Sequence, residues 1–253
     1  MRPAKEHIRV LYSFPHTLGA DRICYAAWKQ VDSPATAGAD VLVFPRALHR
    51  PVSPRVRVYP TLARGKVRIP HRLLGTLRAF ALHDWIVARR IEKLVGKIDI
   101  IHTWPLGVLQ MLKTAARLGI PTVLERPNAN TRFAREVVPK GCERPGVGLP
   151  PNHEHAYNAD KLRKEEEEYR LVDALLCPSD FVVKTLLDKG FEDRKLVRHT
   201  YAFDEKVYCP DPERPRCAGA DAEVRPLCPS QHPGRKRPCD PRSPWQRVRA
   251  AGF

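Results

Sequence analysis

The sequence predicts an α/β protein: a parallel sheet with helices on both faces. Three observations carry this. Short apolar runs of strand length alternate with segments of helical spacing across residues 8–201, and glycines stand where several of those helices should stop. The strands read as continuous apolar runs, as they do when both faces of a parallel sheet are covered. No repeat of solenoid length is visible.

Each element follows in order. Ile8 to Phe14 is the first strand. Asp21 to Val31 has helical spacing, with Asp21 as its expected N-cap. Asp40 to Phe44 and Val56 to Tyr59 are the next strands. Arg72 to Val95 reads as a long amphipathic helix. Leu73, Leu77, Phe80, Val87, Ile91 and Leu94 form its apolar side, with Thr76, His83, Arg90 and Lys93 opposite. Two strand–helix units follow: Ile98–His102 with Leu106–Leu118, stopped by Gly119, and Pro121–Glu125 with Thr131–Val138, capped by Asn130 or Thr131. A Pro/Gly loop covers 139–151, and Asn152 opens a charged helix through Leu171. Asp173–Cys177 is a strand, Ser179 caps a helix from Asp180 to Lys189, and Leu196–Tyr201 is the last strand. Right-handed crossovers between such units give a Rossmann-like layer.

The chain divides near Cys209, into a domain at 1–209 and a tail at 210–253. The tail holds nine prolines and no apolar run of four residues, so it is expected to be disordered. The 253 residues carry 44 Lys and Arg against 28 Asp and Glu, a net charge of +16. Thirteen of those cations lie between Arg46 and Lys97, where only Asp84 and Glu92 oppose them. Such a local field suits an anionic membrane surface, a phosphorylated substrate or nucleic acid. Stacking aromatics are sparse and no nucleic-acid motif appears, so nucleic acid is disfavoured. The alternative is an arginine-rich surface without a partner. No run of about 20 apolar residues offers a membrane span. The N-terminus reads as a strand and not a signal peptide. Seven cysteines without a CxxC, in a chain without an export signal, point to the cytoplasm.

Ligands of parallel sheets collect beyond the C-terminal strand ends. The loop after strand one holds His16 and a lone Gly19, and lacks GxGxxG and GxxxxGK[ST], so this chain by itself is not expected to bind a dinucleotide or nucleoside triphosphate there. A plain turn is the alternative. His102 and Trp104 follow the strand at 98; the histidine is a ligand, a base or simply hydrogen-bonded in place, and the tryptophan stacks on a ring or packs on the next helix. Arg126, Asn128, Asn130 and Arg132 surround a helix start, suited to an anion or sugar hydroxyls or, alternatively, an N-cap with a solvated arginine. Ser179 is the fourth candidate position. Glu165 to Glu168 read as a solvated helix face, and His153-Glu154-His155 point in different directions, against a metal.

Three blocks carry a resemblance: IRVLYSFPHTLGADRICYAAWKQV; KIDIIHTWPLGVLQMLKTAARLGIPTVLERPNANTR; and EEEEYRLVDALLCPSDFVVKTLLDKGFEDRKLVRHTYAFDEKVYCP. Across residues 7–210 they resemble the N-terminal domain of family 4 glycosyltransferases of the GT-B fold. The resemblance implies two Rossmann-like lobes across a cleft, the first binding a sugar or lipid-linked acceptor and the second a nucleotide-sugar donor, with retention of configuration and no metal. It makes His16, Gly19, His102, Trp104, Arg126, Asn128, Asn130, Arg132 and Ser179 acceptor-side candidates and assigns no catalytic residue.

The departures from that pattern are specific. Gly19-Ala20 replaces the paired glycines common after strand one, and Glu125-Arg126 stand where many members place a catalytic histidine. The acidic E-x7-E motif of the second domain has no counterpart in residues 210–253. The expectation is therefore an acceptor half without its own nucleotide-sugar site, inactive alone, with an out-of-frame tail that resequencing near codon 210 tests. A separately encoded donor half is a conceivable partner. The competing expectation is a non-enzymatic module whose basic face meets a polyanion or the inner membrane surface.

Overall fold

The computed structural model describes residues 7–64, 67–68, 75–143 and 159–201. The tail at 210–253, the triplet at 153–155 and the expected helical residues 72–74 and 152–158 lie outside the described residues.

The described chain runs β1 (Arg9–Leu18), α1 (Ile23–Thr36), β2 (Asp40–Leu48), β3 (Val56–Val58), the short pair β4 (Ala63–Arg64) and β5 (Val67–Arg68), then α2 (Thr76–Ile91) with a 3-10 turn at Glu92–Leu94. It continues through β6 (Ile100–Thr103), α3 (Leu109–Leu118), β7 (Thr122–Glu125), α4 (Thr131–Glu143), α5 (Ala159–Leu171), β8 (Ala174–Cys177), α6 (Asp180–Leu187) and β9 (Leu196–Arg198), the last entered by a 3-10 turn at Asp193–Lys195. Seven strands form one parallel sheet in the order β3-β2-β1-β6-β7-β8-β9. This is the Rossmann-like α/β arrangement the sequence predicts. The chain winds outward from β1 to β3, then returns past β1 to β6, so the strand order reverses between β1 and β6.

Strand alternation sorts the core into two layers. Leu11, Ile101, Leu124 and Leu175, from four neighbouring strands, are fully buried in the layer beneath α2, α3, α5 and α6. Truncating any of them to alanine costs about 2–5 kcal/mol. Tyr12, Phe14, Val41 and Val43 face the other way, onto Ala27, Val31 and Ala35 of α1.

Several local expectations are corrected. Asp21 does not cap α1; the helix starts after Arg22, held at φ 58, with no side-chain cap. Pro34 and Pro139 lie inside α1 and α4, so α4 runs on to Glu143 where the sequence suggested a loop. A proline removes one N–H from the ladder but leaves its carbonyl, and both helices absorb that loss. In α2 the faces are partly exchanged: His83 is fully buried and Leu77 is 48% exposed. His83 is fixed by polar partners: its Nε2 lies 2.9 Å from Ser13 Oγ and its Nδ1 2.7 Å from Thr61 Oγ1. α3 begins at Leu109, three residues later than its apolar run. Gly107, in the link before it, lies so close to α2 that a Cβ there would stand 3.2 Å from Phe80 Cβ. Other expected caps hold: Asn130 Oδ1 accepts from Arg132 N at 2.9 Å, Ser179 Oγ from Val182 N at 3.2 Å, and Gly119 ends α3 in the left-handed conformation.

The largest correction concerns Glu165 to Glu168. Glu165, Glu166 and Glu168 are buried, not solvated, because each finds a donor on a neighbouring element. Glu165 pairs with Arg126, Glu166 with Arg132, and Glu168 accepts the backbone N–H groups of Leu106 and Val108 at 2.7 and 3.3 Å.

Candidate functional site

A cleft of about 890 Å³ opens beyond the C-terminal ends of β1, β6 and β7, at the reversal in strand order. Its position follows from topology. β1 feeds α1 and β7 feeds α4 at this sheet edge, and the start of α2 also reaches it, so the first turns of α1, α2 and α4 line the cleft through Ile23, Thr76 and Thr131. Their outward N–H groups give that edge a partial positive charge.

The cleft has two unlike walls. One is largely apolar: Ile23, Leu77, Phe80, Trp104 and Pro105. Trp104 is buried and aligned by its indole N–H, which donates to Tyr12 Oη at 2.6 Å, and by the edge of its ring against Phe14. The His16 ring sits between Phe14 and Phe80, with centroids 5.3 and 5.0 Å away.

The other wall is polar: Arg126, Asn128, Thr131, Lys161 and Glu165. The Arg126 guanidinium donates to Glu165 Oε1 at 2.9 Å, to Thr131 Oγ1 at 3.1 Å and to the Ala129 carbonyl, and lies over the Tyr169 ring. Tyr169 Oη donates to the same Glu165 oxygen at 2.7 Å. Burial, opposed by the Arg126 charge, pushes the Tyr169 hydroxyl well above its ordinary pKa. Arg126 Nε and Glu165 Oε2 are buried without hydrogen-bond partners among the described residues. An unmet donor and an unmet acceptor thus belong to two residues of the same wall.

Behind the apolar wall lies a second polar cluster. Tyr12 Oη donates to Gln30 Oε1 at 2.6 Å, and Gln30 Nε2 donates to Glu125 Oε1 at 2.5 Å. Glu125 is 0% exposed; Tyr201 Oη donates to its Oε2, and His102 and His199 stand 3.4 and 3.3 Å from its two oxygens. Burial, reinforced by the Glu125 charge, raises the Tyr201 pKa. Among the described residues no group of His, Cys, Asp or Glu is arranged to hold a metal. Glu125 and Arg126 are consecutive at a strand end, and they diverge: Arg126 enters the cleft while Glu125 faces the α1 layer.

Of the residues singled out in the sequence, His16, Trp104, Arg126 and Asn128 line the cleft. The others do not. Gly19 shapes the turn after β1 at φ +81, its carbonyl accepting from Arg50 Nε at 2.7 Å. His102 lies against the Tyr12 ring on the α1 side of the sheet. Asn130 and Ser179 serve as caps, and Arg132 pairs with Glu166. The lining residues that sequence reading missed come from α1, α2 and α5, with Leu106 before α3 and Ala134 of α4. Glu165 sits in a four-glutamate run whose pattern hides which members turn inward, and Leu77 and Phe80 read as ordinary core residues of a helix.

Residues 33–198 match the model of Glycosyltransferase Family 4. The chain belongs to that family. The family match runs from the end of α1 through β9 and includes the cleft residues other than His16 and Ile23. Among solved structures, this glycosyltransferase-family chain is similar to sucrose-phosphate synthase from Thermosynechococcus elongatus, with a TM-score of 0.53 at 14% identity, over 81% of this chain and 51% of that one. It is also similar to Anabaena Alr3699/HepE in complex with UDP, with a TM-score of 0.46 at 14% identity, over 81% of this chain and 47% of that one. The chain therefore spans about half the length of these structures. No curated protein sequence matches it.

Proposed function

We propose that this lobe of the family 4 glycosyltransferase binds the acceptor, a sugar or a lipid-linked sugar, in the cleft between its apolar and polar walls. The single observation that supports this most is the Arg126–Glu165 pair. Buried polar atoms without partners are rare in folded proteins, and here Arg126 Nε and Glu165 Oε2 belong to residues lining a cleft. A hydroxyl both donates and accepts, so a sugar can answer both once the two side chains, whose unmet atoms are covered in this structure, turn toward the cleft. Trp104 and Phe80 offer the opposite wall to an apolar ring face or aglycone.

Transfer with retention needs a nucleotide-sugar held across the cleft, with donors aimed at the departing diphosphate. The glycine-poor turn at Gly19 offers no phosphate cradle of that kind after β1. The donor lobe is thus a separate unit, in the same polypeptide or in a partner chain, and the described lobe is inactive alone. The experiment is a titration followed by the Trp104 indole N–H resonance. An alkyl glycoside should shift it, and a nucleotide-sugar should neither shift it nor be hydrolysed. Hydrolysis of the nucleotide-sugar by residues 1–201, or no response to the glycoside, would reject the assignment.

A second reading, attachment to an anionic membrane surface, is favoured by the outer face of α2. Trp85 is 43% exposed there, beneath the Arg89 guanidinium at 4.6 Å from its ring centroid, and Arg78 is also exposed. Among the described residues no helix is long and apolar enough to cross a membrane, so attachment would be peripheral. Sedimentation with phosphatidylglycerol vesicles at low and high salt tests it: salt-sensitive pelleting is expected, and its absence removes the reading.

A further inference from the structure

A second, smaller recess of about 110 Å³ lies between the edge strand β3 and the end of α2 and shares no residue with the cleft. Arg57, Arg90 and Lys93 line it, and none of its lining residues is acidic. Glu92, their acidic neighbour in sequence, is turned to Arg117 at 2.6 Å. Among the described residues no ion pair or hydrogen bond engages the three cationic groups. The arrangement follows from strand alternation. Val56 and Val58 pack on the α1 layer, so Arg57 and then Tyr59 emerge on the α2 side, beside Leu42 and Phe44. Tyr59, 45% exposed, stacks on Phe44 at 5.7 Å between centroids, and Leu42 and Leu94 complete an apolar floor.

We propose that this recess binds the phosphate of a phosphomonoester whose apolar or aromatic body lies on the Phe44–Tyr59 floor. Three uncompensated cations held near one another repel, and an anion at their centre reverses the sign of that interaction. Two are arginines, whose planar fork matches phosphate oxygens, while the lysine supplies a point charge. The volume is well below the ~300 Å³ of a typical small-molecule pocket, so it suits a phosphate and not a whole nucleotide. The apolar floor selects an ester with a hydrophobic body over the free ion.

The probe is phenyl phosphate, titrated into the protein by calorimetry, with inorganic phosphate beside it. Phenyl phosphate should bind more tightly than inorganic phosphate, and added salt should weaken it. The double variant R57A/R90A should weaken it by at least tenfold, since two charge-assisted contacts to the phosphate are lost. Its melting temperature should stay unchanged because both side chains are exposed. Lys97→Ala, a neighbouring cation outside the recess, should leave binding unaltered. Vesicles containing phosphatidic acid separate two sources of the phosphate. Competition with phenyl phosphate assigns a lipid headgroup, lack of competition assigns a soluble ester, and both support the site. No binding of phenyl phosphate, or equal loss with Lys97→Ala, overturns the proposal and leaves Arg57 as a charge guarding an unpaired strand edge.

Discussion

The buried Glu168 carboxylate on α5 accepts the backbone N–H of Leu106 at 2.7 Å, and Leu106 is held at φ 72. A leucine is rarely found in that region of backbone space, and holding it there takes surrounding structure. Glu168 also accepts from Val108 N, while Asp84 on α2 accepts from Gln110 N and Met111 N at 2.8 and 2.9 Å. The start of α3 is thus capped by two carboxylates from other helices, and the strained residue so fixed lines the cleft.

This cap makes stability depend on pH. Burial pushes Glu168 up to about 8, against two opposing backbone hydrogen bonds, and the nearby Asp84 and Glu165 carboxylates add to the rise. Asp84 itself is raised to about 6, again chiefly by burial. A carboxyl with a raised folded pKa keeps a proton that the unfolded chain releases. Its effect on stability is therefore absent below about 4.5, grows unfavourable as pH rises toward 8, and is constant beyond. Glu168→Gln should flatten that decline between pH 5 and 8, read from urea midpoints, where each pKa unit amounts to about 1.4 kcal/mol. An unchanged slope in the variant would refute the burial of a titrating Glu168.

His83 carries the opposite sign. Burial lowers it to about 3, with the His16 charge adding to the effect. The neutral ring donates to one hydroxyl and accepts from the other, joining Ser13 to Thr61. As pH falls from about 6.5 toward 3, the unfolded chain takes a proton that the folded one refuses, so stability is lost in that window. His83→Gln should lose stability at neutral pH by about 1–3 kcal/mol and show a shallower acid slope than the parent. Parallel slopes for the two proteins would contradict this.

Arg126 and Glu165 should behave as a buried pair. Arg126→Ala leaves Glu165 charged and unpaired and should cost about 3–5 kcal/mol in chemical denaturation. R126M/E165L, which removes both charges at similar volume, should recover much of that loss. A double variant as unstable as the single would mean that Arg126 stabilises by packing on Tyr169 alone.

Gly19→Ala tests the turn after β1. A Cβ there would stand 2.8 Å from Arg50 Cβ, at a φ of +81 that alanine disfavours. The substitution should lower stability by more than about 1 kcal/mol. G19A/R50G should remain destabilised through φ and the 3.0 Å approach to the backbone N of residue 50, while losing the clash with the Arg50 side chain. A neutral Gly19→Ala melt would refute the crowding.

Much of the architecture is legible in residues 7–201. The runs around Val41, Ile101, Leu124 and Leu175 admit only strands buried on both sides, and Gly119 and Ser179 mark helix ends by local chemistry that needs no distant partner. The same local logic fails at a sharp backbone turn and where a distant partner decides. Asp21 looks like a cap, but the chain turns sharply at Arg22 before α1 begins. Of the cleft residues, Trp104, Arg126 and Asn128 were visible because they follow strands, and Phe80 and Lys161 were not because they belong to helices that arrive from elsewhere.

Hydrophobic period and turn chemistry, both properties of a few adjacent residues, therefore determined the parallel sheet, its helical cover and the sheet edge where the cleft opens. The tertiary structure alone decided the fate of the charges. Glu165, Glu166 and Glu168 are chemically identical in sequence, and only the Arg126 side chain, the Arg132 side chain and the Leu106 amide, brought to them across the fold, give each a different role. A charge is buried only where a partner meets it, and partners separated by tens of residues are not written in a local pattern.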